Sequence, residues 1–212
     1  MVWITVDGCD NSGKTTLISN INSKIQNCMV SKEPGNSKLS TCIKIREAIF
    51  DPTTNEKAAI MLFLADRAQN IQEFIMPNIE NNIILQDRGS LSTIAYYLAA
   101  REEEWDFKEL TKELLVEMLS YVQPIRPDIG FITSADEGFL YKKPTDRIEE
   151  RGIEFQKKVS KYLLSICDTN NYYGYYFSQQ KFFPKRIVIL PTIPAATQQQ
   201  VAEVAIDQIN SL

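Results

Sequence analysis

The chain has 212 residues, 44% hydrophobic and 24% charged, a size and balance that suit one α/β domain with a substantial core and exclude wholesale disorder or a fibrous repeat. Lys and Arg number 23 against 27 Asp and Glu, so the net charge of −4 argues against a broad grip on nucleic acid while leaving room for a local basic site. There is no histidine, which removes a histidine general base, a serine triad built on one and zinc sites that need imidazole.

Met1 to Val6 is a short apolar strand that runs into a glycine-containing turn, Asp7 to Gly13, and then a helical pattern from Lys14 to about Ile25. Cys28 to Ser31 reads as a second strand, stopped by Glu33, Pro34 and Gly35, and Leu39 to Phe50 as a helix. Glu56 to Ile79 is a long helix whose buried stripe is Ile60, Phe63, Leu64, Ile71, Phe74 and Ile75. Ile83 to Leu85 is a continuous apolar run of the kind buried on both faces, ending at Gln86, Asp87 and Arg88. Helices follow at Ser92 to Ala100 and Phe107 to Val122, then a strand at Ile129 to Thr133 and a basic amphipathic helix at Ile148 to Leu164. Asn170 to Tyr176 reads as a surface loop, Ile187 to Leu190 as a fifth strand and Gln198 to Ile209 as a closing helix. Strands alternating with helices predict a five-stranded parallel sheet covered on both faces, with ligands bound beyond the carboxyl ends of the strands. No repeat or linker divides residues 1–212, which are expected to form a single domain.

Cys9, Cys28, Cys42 and Cys167 make no CxxC pair, no basic leader precedes an apolar segment, and no apolar run reaches the roughly eighteen residues of a membrane span. These features predict reduced thiols and a cytoplasmic protein with neither membrane nor nucleic acid as partner.

The strongest chemical signal is Gly8-Cys9-Asp10-Asn11-Ser12-Gly13-Lys14-Thr15, which fits G-x-x-x-x-G-K-[ST] between a strand and a helix. Glycines let backbone N–H groups curl around phosphate oxygens, the helix start favours the anion, Lys14 adds charge and Thr15 offers a hydroxyl to Mg²⁺. A switch GTPase would add a suitably placed Asp-x-x-Gly and an Asn-Lys-x-Asp guanine reader, and neither is present. Instead the third strand ends in Asp87-Arg88, a carboxylate able to organise Mg²⁺ through water beside a guanidinium able to fork onto a second phosphate.

The phosphate loop is followed by Lys32-Glu33-Pro34-Gly35, Leu62-Phe63-Leu64-Ala65-Asp66-Arg67-Ala68-Gln69, Asp87-Arg88 with Ser92-Thr93-Ile94-Ala95-Tyr96, Pro127-Asp128 and Asp146-Arg147-Ile148-Glu149. In order and spacing this series resembles the thymidylate kinases over nearly the whole chain. The resemblance implies a P-loop nucleoside monophosphate kinase fold that makes dTDP from dTMP with ATP and Mg²⁺, commonly as a homodimer. It assigns Gly8, Asn11, Ser12, Gly13, Lys14, Thr15 and Thr16 to ATP, and Thr15 with Asp87 to the metal. It assigns Asp10, Lys32, Glu33, Pro34, Phe63, Arg67, Arg88, Ser92, Thr93 and Tyr96 to dTMP. Within that set Phe63 stacks on thymine, Arg67 reaches a base carbonyl, Thr93 reads the ring N–H, Tyr96 packs over the sugar, and Asp10 meets the 3′-hydroxyl.

Lys32 stands where the family usually has Arg, and its point charge cannot make a bidentate phosphate contact. Asn11 stands where one branch has an arginine, so a lid at about 141–151 supplies the charge in the bacterial manner. Arg147 is its expected catalytic arginine, joined by Lys142, Lys143 and Arg151. Catalysis is thus expected of Lys14, Arg88, Arg147 and Asp10. Gly89 replaces a larger residue and predicts extra room near the acceptor. That room motivates a second reading, a kinase for a 5-modified pyrimidine deoxynucleotide, and a third is a non-catalytic nucleotide-binding switch. The apolar sides of the 56–79 helix (Met61, Leu62, Phe63, Leu64, Ala65) suggest the dimer surface.

Overall fold

A computed structural model describes residues 1–102, 110–134, 146–190 and 198–212. Five parallel strands, β1 (Val2–Gly8), β2 (Cys28–Lys32), β3 (Ile83–Asp87), β4 (Ile129–Thr133) and β5 (Arg186–Ile189), form one sheet in the order β2-β3-β1-β4-β5. The inner strands are buried on both faces, and their β-branched runs alternate between two layers of core. Ile4, Val6 and Leu85 pack with Leu17, Ile18 and Ile21 of α1 (Lys14–Lys24) and Val201, Ala202 and Ala205 of α8 (Gln198–Asn210). Trp3 and Ile84 face the other way, onto Ile71, Phe74 and Ile75. Ile132 joins a third cluster with α4 (Ser90–Glu102), α5 (Lys112–Val122) and α6 (Gly152–Cys167), held by Leu91, Ile94, Leu115, Phe155 and Val159.

Register brings the strand ends that carry chemistry together. Val6 and Lys32 both pair with Asp87, and Gly8 pairs with Thr133, so the phosphate loop, the Glu33 turn and Arg88 leave one edge of the sheet side by side. Across that edge lie α2 (Ser40–Phe50) and α3 (Glu56–Asn70), the latter started by Asn55, whose side chain accepts from Ala58 N at 2.8 Å. The expected 56–79 helix is continuous but not uniform: α3 passes through a π turn, Ile71–Ile75, into a short α turn, Met76–Asn78. Pro77 has no N–H to give the preceding turn, and the wider winding accommodates it.

Several boundaries differ from expectation. β1 extends to Gly8, because pairing with β4 continues past Val6. The 107–122 helix begins at Lys112, where Thr111 caps it by accepting from Leu114 N, and residues 107–109 lie outside the described segments. The 148–164 helix begins at Gly152 after a 3₁₀ turn, Glu149–Arg151, because Asp146 Oδ1 accepts from Ile148 and Glu149 N and tightens that turn. The loop expected at Asn170 to Tyr176 is a helix, α7 (Tyr172–Ser178). Tyrosines and a glycine are poor local helix formers, but Asn171 caps the turn and Phe177 is buried against the core, so tertiary packing decides.

The cysteines are unpaired thiols, and no helix among the described residues is long and apolar enough to cross a membrane.

Candidate active site

The phosphate loop turns back on itself within a few residues. Asn11 (φ 61°) and Gly13 (φ 84°) take the left-handed conformation, and α1 starts at Lys14 with no side chain capping its first amides. A Cβ at Gly8 would run into Thr133 and Ser12, whose hydroxyls bond to each other at 2.7 Å, so only glycine lets the strand end come this close. Lys14 Nζ donates to Cys9 O at 2.6 Å inside the loop. Burial, then repulsion from Arg88, pushes its ammonium down to about 8, against the pull of Asp87 and Asp10. Asn11, Thr15 and Thr16 are exposed at the mouth.

Where β3 ends, Arg88 sits at φ 68°, a costly conformation for a residue with a side chain. It is held there at several points: its N donates to Val6 O (2.9 Å), its carbonyl accepts from Gln86 Nε2 (2.9 Å), and Nη1 donates to Gly8 O (2.8 Å). Gln86 is itself fixed by Trp3 Nε1 at 2.8 Å. Arg88 Nη2 pairs with Asp10 Oδ1, joining the phosphate loop to the neighbouring strand end. Asp10 Oδ2 accepts from Tyr96 OH (3.0 Å) and Gln156 Nε2 (2.8 Å). Burial works to raise the Asp10 pKa, but Arg88, Lys14 and these donors together hold it below the ordinary carboxylate range.

Asp7, which the sequence reading passed over, organises the next element. Its Oδ1 accepts from Gly89 N (2.8 Å), Ser92 N (2.9 Å) and Ser92 Oγ (2.6 Å), capping α4 from another strand. Ser92 therefore spends its hydroxyl on the fold. The extra room expected at Gly89 is absent on its Cβ side, where an added carbon would lie 2.8 Å from Thr5 Cγ2 and 3.1 Å from Asp7 Oδ2.

Beside the loop is a cleft of about 220 Å³ that includes Asp10, Lys32, Glu33, Pro34, Phe63, Arg67, Arg88, Ser92, Thr93 and Tyr96 in its walls, so the structure brings the whole set expected for dTMP together. Phe63 and Arg67 stand one turn apart on α3 and share a face. The floor is a buried polar network. Glu33 Oε2 pairs with Arg67 Nε and Nη2, both at 2.8 Å, while Asn70 Nδ2 donates to Glu33 Oε1 at 3.0 Å. Asn70 Oδ1 in turn accepts from Ser31 and Asn36, each at 2.8 Å. Arg67 Nη1 is buried without a hydrogen-bond partner, a donor held in reserve in a cleft wall. Asp66 accepts from Gly35 N through both oxygens (3.1 Å), and burial, then the Glu33 charge, raises its pKa to about 6. Arg46 and Phe50 also line the cleft, with the guanidinium 4.6 Å over the ring and donating to Pro34 O at 3.0 Å. Their i, i+4 spacing on the helix after the Glu33 turn was the available sequence signal for both.

Of the expected lid, 141–145, with Lys142 and Lys143, lies outside the described residues. Arg147 lies on the cleft side, donating to Thr54 O and pairing with Glu56 Oε1 at 3.0 Å, while Arg151 pairs with Glu56 Oε2 at 3.0 Å. These contacts leave Arg147 at the cleft wall rather than on the phosphate loop.

No cluster of three acidic, Cys or His side chains able to hold a metal occurs among the described residues. Mg²⁺ on a nucleotide needs less, one or two protein oxygens with the phosphates supplying others. The Asp87 side chain fits that need: 7% exposed, with Oδ1 lacking a hydrogen-bond partner.

Comparison with known proteins agrees with this geometry. The family model described as thymidylate kinase matches residues 6–181. The thymidylate kinase of Nautilia profundicola is 34% identical over 79% of this chain and 83% of its own, and that of Campylobacter concisus 31% identical over 81% and 87%. Among solved structures, the thymidylate kinase of Ehrlichia chaffeensis superposes with a TM-score of 0.71 at 21% identity, covering 98% of both chains. That of Candida albicans superposes at 0.70 and 25%, covering 99% of this chain and 91% of its own.

Proposed function

The chain belongs to the thymidylate kinase family and is an enzyme that phosphorylates dTMP with ATP as co-substrate, and from that premise we propose how its residues divide the transfer. ATP places its phosphates on the N–H groups of Gly13 to Thr16, with Gly8, Asn11 and Ser12 shaping the loop. Lys14 exchanges Cys9 O for phosphate oxygens, which restores a full partner to its buried ammonium. Thr15 and Asp87 would hold Mg²⁺, which supplies charge neutralisation on the phosphates when bound.

On the acceptor side Phe63 stacks on thymine, Arg67 Nη1 donates to a base carbonyl, Thr93 reads the ring N–H and Tyr96 packs beneath a sugar lacking the 2′-hydroxyl. Asp10 accepts from the 3′-hydroxyl, and Arg88, Lys32 and Arg46 surround the 5′-phosphate. Phosphoryl transfer is catalysed mainly by position and charge, so no covalent intermediate is invoked. Arg147 leaves Glu56 as a bacterial-type lid closes over the donor, adding a guanidinium to the transferring group. The protein works in the cytoplasm as a single-domain subunit of a homodimer joined through α3, where Met61 is 48% exposed.

The observation that carries this reading is the Asp10–Arg88 pair, which ties the donor loop to the acceptor cleft through one ion pair. A coupled ADP-release assay over a panel of nucleoside monophosphates tests it. Turnover of dTMP well above AMP, CMP and GMP, lost by at least about a thousandfold in Lys14→Ala, is expected. Equal turnover across the panel would overturn it. Light scattering giving the mass of one chain would remove the dimer alone.

A further inference from the structure

We propose that Gln156 is a positioning residue that holds Asp10 to the acceptor side of the site and ties its orientation to the helix behind the lid. The proposal rests on the dTMP kinase reading above. Gln156 is 4% exposed, lies on the first turns of α6 and does not line the cleft, so it can act only through another residue. Its Oε1 accepts from Asp10 N at 2.9 Å while its Nε2 donates to Asp10 Oδ2 at 2.8 Å. A primary amide presents an acceptor and a donor side by side, and an aspartate presents an N–H and a carboxylate, so the two residues form a two-point lock.

Two consequences follow. The Asp10 N–H is committed to Gln156, so the amides left for phosphate begin beyond it, and the residue is assigned to the acceptor. The carboxylate is also pinned in rotation. Oδ1 faces Arg88, Oδ2 faces Tyr96 and Gln156, and the group is thereby kept from collapsing onto Lys14, whose charge attracts it. Tyr96 OH also reaches Gln156 Oε1 at 3.3 Å, which closes the cluster.

The same helix follows directly on residues 146–151 of the expected lid. Arg151 immediately precedes α6, pairs with Glu56 and stands 4.5 Å over the Phe155 ring, and Phe155 meets Tyr96 edge-on at 5.9 Å. Lid contact and Asp10 orientation are therefore carried by adjacent residues of one rigid element, so a shift of α6 moves both.

Two variants test this. Gln156→Leu keeps much of the shape and removes both bonds, whereas Gln156→Glu is isosteric and sets a carboxylate against Asp10. For Gln156→Leu, KM for dTMP should rise about tenfold, the worth of one charge-assisted hydrogen bond, with KM for ATP unchanged within about twofold. For Gln156→Glu the same loss is expected at pH 8. It should recover toward pH 6, because the introduced carboxyl beside Asp10 holds its proton unusually high and then donates to Oδ2. Thermal melting checks that both variants fold, and if the leucine variant does not, the isosteric one carries the test alone. Equal rises in both KM values, wild-type KM for dTMP, or a pH-independent defect in Gln156→Glu would each overturn the proposal. An unsubstituted protein inactive on dTMP would instead defeat the functional reading on which it rests.

Discussion

The two halves of the site are built in opposite ways. The phosphate loop is one uninterrupted stretch, residues 8–16, whose turn, amides and lysine are supplied by neighbours in the chain. The acceptor cleft is collected from the ends of β2 and β3, from α2, α3 and α4, and from the 3₁₀ turn before α6. The contiguous loop takes its functional groups from its own residues and only its bracing from Thr133, Arg88 and Gln156, whereas the collected cleft depends throughout on the polar network beneath it. Changes to residues that never touch nucleotide should therefore damage the acceptor side and spare the donor side.

Arg88 belongs to both halves and offers the largest break. Arg88→Met leaves Asp10 without its ion-pair partner and removes the tie to Gly8 O, so kcat/KM for dTMP should fall by about a hundred- to a thousandfold in steady-state assays. Loss of donor affinity alone would contradict the shared role. Next comes Phe63→Ala, which should raise KM for dTMP by about ten- to a hundredfold, the worth of about 1 to 3 kcal/mol of base stacking, while leaving KM for ATP in place.

The donor half has its own signature in pH. Burial, and then Arg88, lowers the Lys14 ammonium to about 8, so the empty loop loses its positive charge as pH rises through that value. The kcat/KM for ATP, which reports the unliganded enzyme, should fall about tenfold per pH unit above it, and kcat should hold to higher pH because bound phosphates favour the charged form. A flat profile to pH 10 would break the assignment.

The smallest effect lies under the acceptor cleft and needs no nucleotide at all. Asp66 has its pKa raised from 3.8 to about 6, chiefly by burial, so the stability it contributes is full below the lower value and is lost as pH rises through the upper one. Asp66→Asn can keep an acceptor for Gly35 N and does not titrate. Its stability relative to the unsubstituted protein should improve by about 1 to 3 kcal/mol between pH 4 and pH 7, as read by denaturant unfolding.

The same contrast explains what could be read from the sequence. The phosphate loop and the β4 bounds depend on short-range pattern and lie where the pattern put them, and so do Ile60, Leu64, Ile71, Phe74 and Ile75 of the expected stripe, whereas Phe63 is only half-buried because it lines the cleft, beside a buried polar face of Asp66, Arg67 and Asn70. That Phe63, Arg67 and Thr93 share one cleft was legible because family resemblance supplies what spacing does not. The partners that fix the cleft were not legible, since Gln156 lies 146 positions from Asp10, and Asp7 caps a helix that starts over eighty residues away. α7 was missed because its tyrosines gain their helical state from burial of Phe177 and from Asn171, not from propensity. The lid was read on Arg147, yet its ion pair with Glu56 places that residue beside α3, a long-range contact that composition could not forecast.

The π turn at Ile71–Ile75 makes the length of this helix less strict than that of a regularly wound one. It carries one residue beyond what ordinary winding requires, between the stretch that faces nucleotide and the stretch that anchors on Trp3. Deleting a single residue there would let the helix close up as regular α with its anchor intact, and because the wider turn absorbs its extra residue within about one turn, Phe63 and Arg67 would keep their face toward the cleft. A one-residue loss that would swing the far half of an ordinary helix by about 100° would here leave both the fold and the cleft residues in place.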